Sequence, residues 1–190
     1  MIKSYEAHQI IKSKLSPQRV IHSCNVADVA KKLAGQFGID EEMAYITGLL
    51  HDYAKGLAAS KLLEIAVQND LIEDEIEHLI PDILHGKVGA FLLEKEGIIQ
   101  ERQVLDAIAN HTLGSINMSE LDKIVFLADM IEPGRDYPSL ERLHCLAFKD
   151  LDAAMLYGLE STIKHCLEEK RLLHSKTIVV RNTFLKLIYE

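Results

Sequence analysis

The chain has 190 residues, of which 48% are hydrophobic and 26% are charged, a balance typical of a soluble globular protein. Its formal net charge is −8 and it has no long run of Lys and Arg, so nucleic acid is not expected as a partner. The N-terminal residues lack the apolar segment of a signal peptide, and no apolar run reaches the roughly 18 residues of a membrane span, so no membrane association is predicted.

Helical periodicity extends along almost the whole chain, and the alternating pattern of half-buried strands is nearly absent. Ser16 before Pro17 is typical of a helix start, and Gly38 and Gly97 are typical of helix ends. The pattern predicts ten helices, over residues 2–14, 17–37, 41–54, 59–69, 85–97, 101–111, 119–132, 139–147, 150–172 and 176–189. The sequence therefore predicts an all-α protein.

Two segments fit the helical pattern less well. Residues 177–180, with the sequence TIVV, are β-branched and would suit a short strand, but we favour a helix there. Residues 70–84 form an irregular acidic stretch. Because no repeat, low-complexity tract or obvious linker divides the chain, residues 1–190 are expected to form a single domain.

Five of the predicted helices carry a polar residue on a face that is otherwise apolar. His22, for example, shares its face with Val26, Val29 and Leu33, which lie at helical spacing from it. The residues placed in this way are His22, His51, His85, His111 and Asp129, and Asp52 directly follows one of them. A single inward histidine is usually satisfied by a neighbour, but these apolar faces lack donors for four imidazoles and two carboxylates together.

The chemistry of these six side chains favours a metal centre. Imidazole and carboxylate groups are ligands of zinc, manganese and iron. Four histidines and two aspartates exceed the needs of one tetrahedral ion, so their number suits two ions with Asp52 in position to bridge them. The other histidines have charged or mixed neighbours and are expected at the surface or at the boundary of the core: His8, His78, His144, His165 and His174.

The pattern of His22, His51–Asp52 and Asp129 resembles the H…HD…D signature of the HD-domain metallohydrolase superfamily, and His85 and His111 match its dinuclear branch. The resemblance is closer still to the bacterial YqeK-like family of symmetrical diadenosine tetraphosphate hydrolases. The HD pair alone is weakly specific, whereas NHTLG and ADMIEPGR are strongly specific. The matching stretches span residues 19–137 and are RVIHS, GLLHDYAK, ILHG, AIANHTLG, MSELDKIVFLAD and MIEPGRDY.

This resemblance implies an all-helical HD-domain bundle with a metal-site core at residues 19–137 and C-terminal helices at residues 139–189. It implies two divalent metal ions, with iron as the first expectation and manganese or another divalent ion as the alternative. One ion would be held by His22, His51, Asp52 and Asp129, and the other by Asp52, His85 and His111. The implied substrate is diadenosine tetraphosphate, which is split symmetrically into two ADP.

Hydrolysis of a phosphoanhydride needs a nucleophile at neutral pH and stabilisation of the charge on the phosphoryl oxygens. Two adjacent ions would supply both, and we expect a metal-bridging hydroxide to attack an inner phosphorus beside the bridging ligand Asp52. Lys55, one turn beyond the His-Asp pair, is expected to bind phosphate and stabilise the leaving group; otherwise it is a surface lysine. Arg19, Thr112 and Arg135 are further candidates for phosphate binding. Alternatively, Arg19 pairs a Glu or Asp and Thr112 caps the chain end at His111, while no residue is assigned to adenine recognition.

Three other functions stay open at this point. Di-iron oxygenases of the HD fold use the same ligand types, although NHTLG and ADMIEPGR favour the hydrolase. Another nucleotide phosphohydrolase of the HD fold is an alternative, but a cyclic dinucleotide phosphodiesterase is disfavoured because no GYP motif follows the histidines. A binding module with a structural metal is also disfavoured. Structural sites are usually closed by four protein ligands, whereas six residues shared between two ions would leave open positions.

Cysteine usage bears on the cellular compartment. Cys24, Cys145 and Cys166 are widely spaced and include no CxxC motif, so we expect reduced thiols and a cytoplasmic location. A homodimer is plausible, although no exposed apolar stripe in the sequence requires one.

Overall fold

The computed structural model describes residues 1–189, and all regular structure in that range is helical. The α-helices are α1 (Ser4–Lys14), α2 (Pro17–Phe37), α3 (Glu41–Leu50), α4 (Ala59–Gln68), α5 (His85–Lys95), α6 (Arg102–Asn110), α7 (Glu120–Ile131), α8 (Leu140–Ala147), α9 (Leu151–Glu168) and α10 (Ser175–Tyr189). Two short 3-10 helices, Glu75–His78 and Pro81–Leu84, precede α5. The predicted all-α fold is confirmed. No helix within residues 1–189 is both long enough and apolar enough to cross a bilayer.

The predicted helix boundaries differ most from the observed ones at the ends of α3 and α9. Helix α3 ends at Leu50 because the chain continues through residues 51–56 as turns. Helix α9 ends at Glu168, and Lys170 then adopts a left-handed backbone conformation with φ of 54°. The segment TIVV lies inside α10, and the acidic stretch contains only the two 3-10 helices, so both predictions for these segments are confirmed.

The core forms where α2 packs against α3 and α7. The inward face of α2 carries the buried apolar residues Val26, Ala30 and Leu33, together with the buried Ser23. Helix α6 packs against both α5 and α7, and α9 covers α7, α8 and α10. The elements that carry the predicted site residues therefore meet in one packed region. That residues 1–190 form one domain stays a prediction.

Helices α2 and α3 approach each other closely at Gly48. A Cβ atom at this position would lie 2.7 Å from the Cα atom of Ala27, which is inside van der Waals contact with the backbone of α2. Gly48 lies one turn before His51, so the close approach also brings the end of α3 to the helix that carries His22. The absence of a side chain at position 48 is therefore part of how the site is assembled.

We expect Gly48→Ala to destabilise the protein by about 1–3 kcal/mol, because the added methyl group forces α2 and α3 apart. The matched control is Gly35→Ala, on the exposed side of α2, where the new Cβ would meet only the end of the flexible Glu41 side chain, at 3.1 Å. There, the better helix propensity of alanine should leave stability unchanged or raise it by up to about 1 kcal/mol. Urea unfolding measures both, and equal effects of the two substitutions would contradict the close-approach argument.

Candidate metal centre

The six predicted ligand residues converge at the centre of the bundle. They come from the interior of α2 (His22), the turn after α3 (His51 and Asp52), the first residue of α5 (His85), the residue after α6 (His111) and the last turn of α7 (Asp129). Ligand atoms of His22, His51 and Asp129 lie within 4.8 Å of one another, and those of His51, Asp52 and His111 do so as well. The structure thus brings together side chains that are up to 107 positions apart in the sequence.

Asp52 lies between two pairs of histidines. Its Oδ2 atom is 3.4 Å from Nε2 of His51 and 3.6 Å from Nε2 of His22. Its Oδ1 atom is 3.2 Å from Nε2 of His85 and 3.9 Å from Nε2 of His111. The side chain is only 2% exposed, so its two oxygens face the two histidine pairs inside the protein. This is the placement that a carboxylate bridging two ions needs.

Asp129 completes the arrangement on one side only. Its Oδ1 atom is 3.1 Å from Nε2 of His22 and 3.9 Å from Nε2 of His51. The first histidine pair is therefore joined by two carboxylates, whereas His85 and His111 face Asp52 alone. This division matches the two ligand sets that the sequence resemblance implied, and the assignment of ligands to ions stays a prediction.

The hydrogen bonds on the far side of three imidazoles decide which nitrogen is free. Nδ1 of His51 donates to the carbonyl of Gly48 at 2.7 Å, and Nδ1 of His111 donates to the carbonyl of Ile108 at 2.7 Å. Nδ1 of His85 donates in the same way to the carbonyl of Asp82. A carbonyl only accepts, so in the neutral ring each proton is on Nδ1 and each Nε2 is a bare acceptor directed to the centre.

This arrangement leaves acceptors facing acceptors. The two Nε2 atoms of His85 and His111 are 3.0 Å apart, and those of His22 and His51 are 3.3 Å apart. Two unprotonated nitrogens cannot hydrogen-bond to each other, and burial makes their mutual exposure costly. Divalent cations bound between the rings would satisfy the four nitrogens together with the carboxylates. The donor set therefore fits a metal centre.

The pKa shifts of Asp52, Asp129 and His111 favour the unprotonated forms that bind a cation, whereas the shift of His51 favours its protonated form. Burial opposes the charge of Asp52, but His51 and His85 outweigh it and hold the pKa of Asp52 far below its usual range. The pKa of Asp129 is also held far below its usual range, because His22, His51 and Arg135 overcome the effect of burial. Burial, together with His85 and His51, lowers the pKa of His111 to about 3. In contrast, Asp52 raises the pKa of the buried His51 in spite of its burial.

Two of the predicted substrate-binding residues contact the carboxylates of the site. Nη1 of Arg19 donates to Oδ2 of Asp52 at 2.9 Å. Arg135 binds Asp129 through two donors, Nε to the backbone carbonyl at 2.8 Å and Nη2 to Oδ1. Both arginine side chains are 37% exposed, and a guanidinium group has five N–H donors, so each keeps further donors beside the site. They contact the carboxylates and also place partly exposed cationic groups beside the site.

The other two predicted substrate-binding residues lie beside the second histidine pair. Nζ of Lys55 is 3.3 Å from Nδ1 of His85, behind the ring. Oγ1 of Thr112 is 3.5 Å from Nε2 of His85 and 3.4 Å from Nε2 of His111, on the inner side of both rings. Both side chains are half-buried. Their roles in substrate binding stay predictions.

Sequence reasoning missed a carboxylate that contacts His22 from behind. Glu132 directly follows α7, is 3% exposed, and places Oε1 3.2 Å from Nδ1 of His22. Burial opposes its charge, but donors from Gly134, Asn25 and His22 hold the pKa of Glu132 below its ordinary value. A glutamate just after a helix is normally exposed, so only its place in the ADMIEPGR stretch was a signal.

The prediction that His174 lies at the surface or boundary is wrong. His174 is 4% exposed, and its Nε2 atom lies 3.3 Å from Oε1 of the buried Glu77. The prediction failed because α9 ends before this residue, which instead leads into α10 and turns inward against the 3-10 helix Glu75–His78. The other four, His8, His78, His144 and His165, are half-buried or exposed, as predicted.

Known proteins are similar to this chain in both sequence and fold. The profile of the HD domain family matches residues 19–134. A Bacillus subtilis protein named "Bis(5'-nucleosyl)-tetraphosphatase, symmetrical" is 32% identical over 177 residues, covering 93% of this chain and 95% of its own. A protein of the same name from Halalkalibacterium halodurans is 33% identical over 180 residues, covering 95% of this chain and 96% of its own.

A solved structure extends the similarity to three dimensions. The crystal structure of a predicted HD superfamily hydrolase involved in NAD metabolism, from Clostridium acetobutylicum, superposes with a TM-score of 0.92. It is 36% identical in sequence, and the match covers 98% of each chain. The whole helical bundle, including the C-terminal helices, is thus shared with this protein.

We expect Mn²⁺ or Co²⁺ to raise the thermal unfolding midpoint of the chelator-treated protein. A ligand at about 100 times its Kd stabilises the folded state by about 2.7 kcal/mol, which for a domain of this size raises Tm by roughly 5–10 °C. Asp52→Ala should abolish the shift because it removes the carboxylate between both histidine pairs. The control is Asp28→Ala, which removes an exposed carboxylate from α2 and should keep the full shift. An equal shift in Asp52→Ala would contradict the site.

Proposed function

This chain belongs to the HD domain family, and from that membership we propose that it is a metal-dependent phosphohydrolase that splits diadenosine tetraphosphate symmetrically into two ADP. The observation that carries the proposal is the Asp52 carboxylate, whose two oxygens face two separate histidine pairs. The names of the Bacillus subtilis and Halalkalibacterium halodurans relatives support the substrate and the symmetry of cleavage. Their similarity extends over more than nine-tenths of both chains, so it includes the site and its surroundings.

We infer two divalent ions, one at His22, His51, Asp52 and Asp129 and one at Asp52, His85 and His111. The mixed imidazole and carboxylate ligands suit iron, and manganese is the alternative. Ions bound there would lower the pKa of bound water, so that hydroxide is available at neutral pH, and would neutralise charge on the phosphoryl oxygens. The free cysteines of the chain agree with a cytoplasmic location for such an enzyme.

The charges of the protein around the site favour a polyanionic substrate once cations are bound. Asp52, Asp129 and Glu132 supply three negative charges, and Arg19, Arg135 and Lys55 supply three positive charges. With cations bound, the four histidines would add no charge, because a metal ion binds the unprotonated imidazole. The charged side chains around the site therefore cancel, and bound ions would make the local net charge positive, although the whole chain carries −8. A tetraphosphate chain would be attracted to this point and repelled from the rest of the surface.

The chain's own cations are divided between the two ends of the site. Arg19 and Arg135 lie on the side of His22 and Asp129, where their unengaged N–H donors would bind the phosphates of one half of the substrate. Lys55 lies behind the ring of His85, and its flexible side chain would turn from there to bind the other half and stabilise charge on the departing ADP. Cations at both ends of a central carboxylate suit cleavage in the middle of a tetraphosphate.

We expect the purified protein to convert diadenosine tetraphosphate to ADP alone, as measured by chromatographic separation of the nucleotides. A chelator and Asp52→Ala should each abolish the reaction, while Asp28→Ala should retain it. Formation of AMP and ATP would show asymmetric cleavage and would contradict the proposed position of the substrate. No turnover in the presence of iron or manganese would overturn the proposed activity, and oxygen consumption would then test the oxygenase alternative.

We expect Lys55→Ala to lower kcat by about 10²-fold, because the charge that develops on the leaving phosphate loses a nearby cation. The matched control is Lys61→Ala, which removes the same charge from an exposed position of α4 that is paired with Glu64. Lys61→Ala should leave kcat within twofold of the wild-type value. Equal rates for both variants would show that Lys55 is a surface lysine without a role in the reaction.

A further inference from the structure

His22 differs from the other three histidines of the site in what lies behind its ring. His51, His85 and His111 each donate from Nδ1 to the backbone carbonyl three positions earlier in the chain. These three residues lie at helix ends or after a 3-10 turn, where carbonyls are free of intrahelical bonds. His22 lies in the interior of α2, where the preceding carbonyls accept from the helix itself. It therefore needs a partner from elsewhere in the fold.

Glu132 is that partner, and both of its oxygens are engaged. Oε1 accepts from Nδ1 of His22 at 3.2 Å. Oε2 accepts from Nδ2 of Asn25 at 2.9 Å and from the backbone N–H of Gly134 at 2.6 Å. Asn25 lies one helical turn beyond His22, so Glu132 is bound to the same face of α2 at two points.

The same carboxylate also shapes the turn that follows α7. Its bond to the N–H of Gly134 closes a tight turn, and a Cβ on Gly134 would lie only 2.8 Å from Oε1. Arg135 follows this turn and reaches back to Asp129, with its Nε atom also 3.8 Å from Oε1 of Glu132. One buried carboxylate thus contacts the ring of His22 and the turn that places an arginine on Asp129.

We propose that Glu132 is a positioning residue that fixes the orientation and tautomer of His22 and, through the turn at Gly134, the placement of Asp129 by Arg135. The inference rests on the proposed metal centre, because it concerns two ligands of the same ion. A carboxylate behind a ligating imidazole keeps the proton on the outer nitrogen and makes the inner nitrogen a stronger donor to a metal. Glu132 contacts Nδ1 of His22, whereas the Nε2 atom on the other side of the ring faces the remaining ligands.

The chemistry requires a carboxylate at this position and not an amide. His22, Asn25 and Gly134 all present N–H donors to Glu132. A glutamine has one accepting oxygen and one NH₂ group. If its oxygen accepts from His22, its NH₂ group faces the N–H donors of Asn25 and Gly134, and donors cannot bond to donors. Glu132→Gln therefore breaks the arrangement with almost no change of size. Adding Asn25→Asp supplies an acceptor for the new NH₂ group and restores the original net charge.

The test compares four full-length proteins after removal of metal: wild type, Glu132→Gln, Glu132→Gln with Asn25→Asp, and the control Asp136→Asn. Asp136 is an exposed carboxylate in the same loop, so its substitution removes the same charge without touching His22. Calorimetric titration with Co²⁺ measures the affinity of each bound ion. A long-range ¹H–¹⁵N NMR spectrum of the metal-free proteins measures the tautomer of His22 independently of metal and of activity.

We expect Glu132→Gln to lower the affinity for one Co²⁺ ion by about 10–100-fold and to leave the affinity for the other unchanged. His22 should change from a single tautomer to a mixture, the double variant should recover part of both losses, and Asp136→Asn should match wild type. Wild-type Co²⁺ affinities and a single His22 tautomer in Glu132→Gln would overturn the proposal. If wild type binds no Co²⁺, the proposed function fails, and the NMR spectra still decide whether Glu132 positions His22.

Discussion

Four imidazole rings with unprotonated nitrogens directed at one buried point impose the main constraint on this structure. Acceptor atoms 3.0–3.3 Å apart repel each other, so the rings must be held by the surrounding fold. The bundle holds three of them with backbone carbonyls at helix ends, which are rigid acceptors that need no further side chain. The fourth is inside a helix and is held by a carboxylate from another element. The position at which each helix ends thus determines the orientation of three of the four imidazole ligands.

Periodicity in the sequence was sufficient to predict that the chain is helical and which side of the five site-bearing helices faces inward. Local spacing determines which residues share a helix face, so His22 among Val26, Val29 and Leu33 was recognisable as an inward residue before any contact was known. The same reasoning predicted that the six polar residues would lie near one another. It could not give the division of Asp52 between two histidine pairs, which depends on how four helices pack.

Residues whose role depends on contacts between distant segments were beyond such reasoning. Glu132 lies 110 positions from His22, and apart from its place in the ADMIEPGR stretch nothing in its local sequence distinguishes it from an exposed glutamate after a helix. His174 was misjudged for the same reason, because its burial depends on the docking of α10 against a 3-10 helix about 100 positions earlier. In both cases a polar residue is buried beside a charged or polar group from another part of the chain.

The distance in sequence between His22 and Glu132 also determines when the site can exist. At about 5–20 residues per second, roughly 5–20 s of synthesis separate the two positions on a ribosome. Helices α2 and α3 are neighbours in the chain and can pair early, which brings together His22 and His51 without Asp129. Closing the remaining contacts needs α7, a long-range step that comes late in folding. A nascent chain therefore presents only a fragment of the ligand set, so full metal loading belongs to the completed protein.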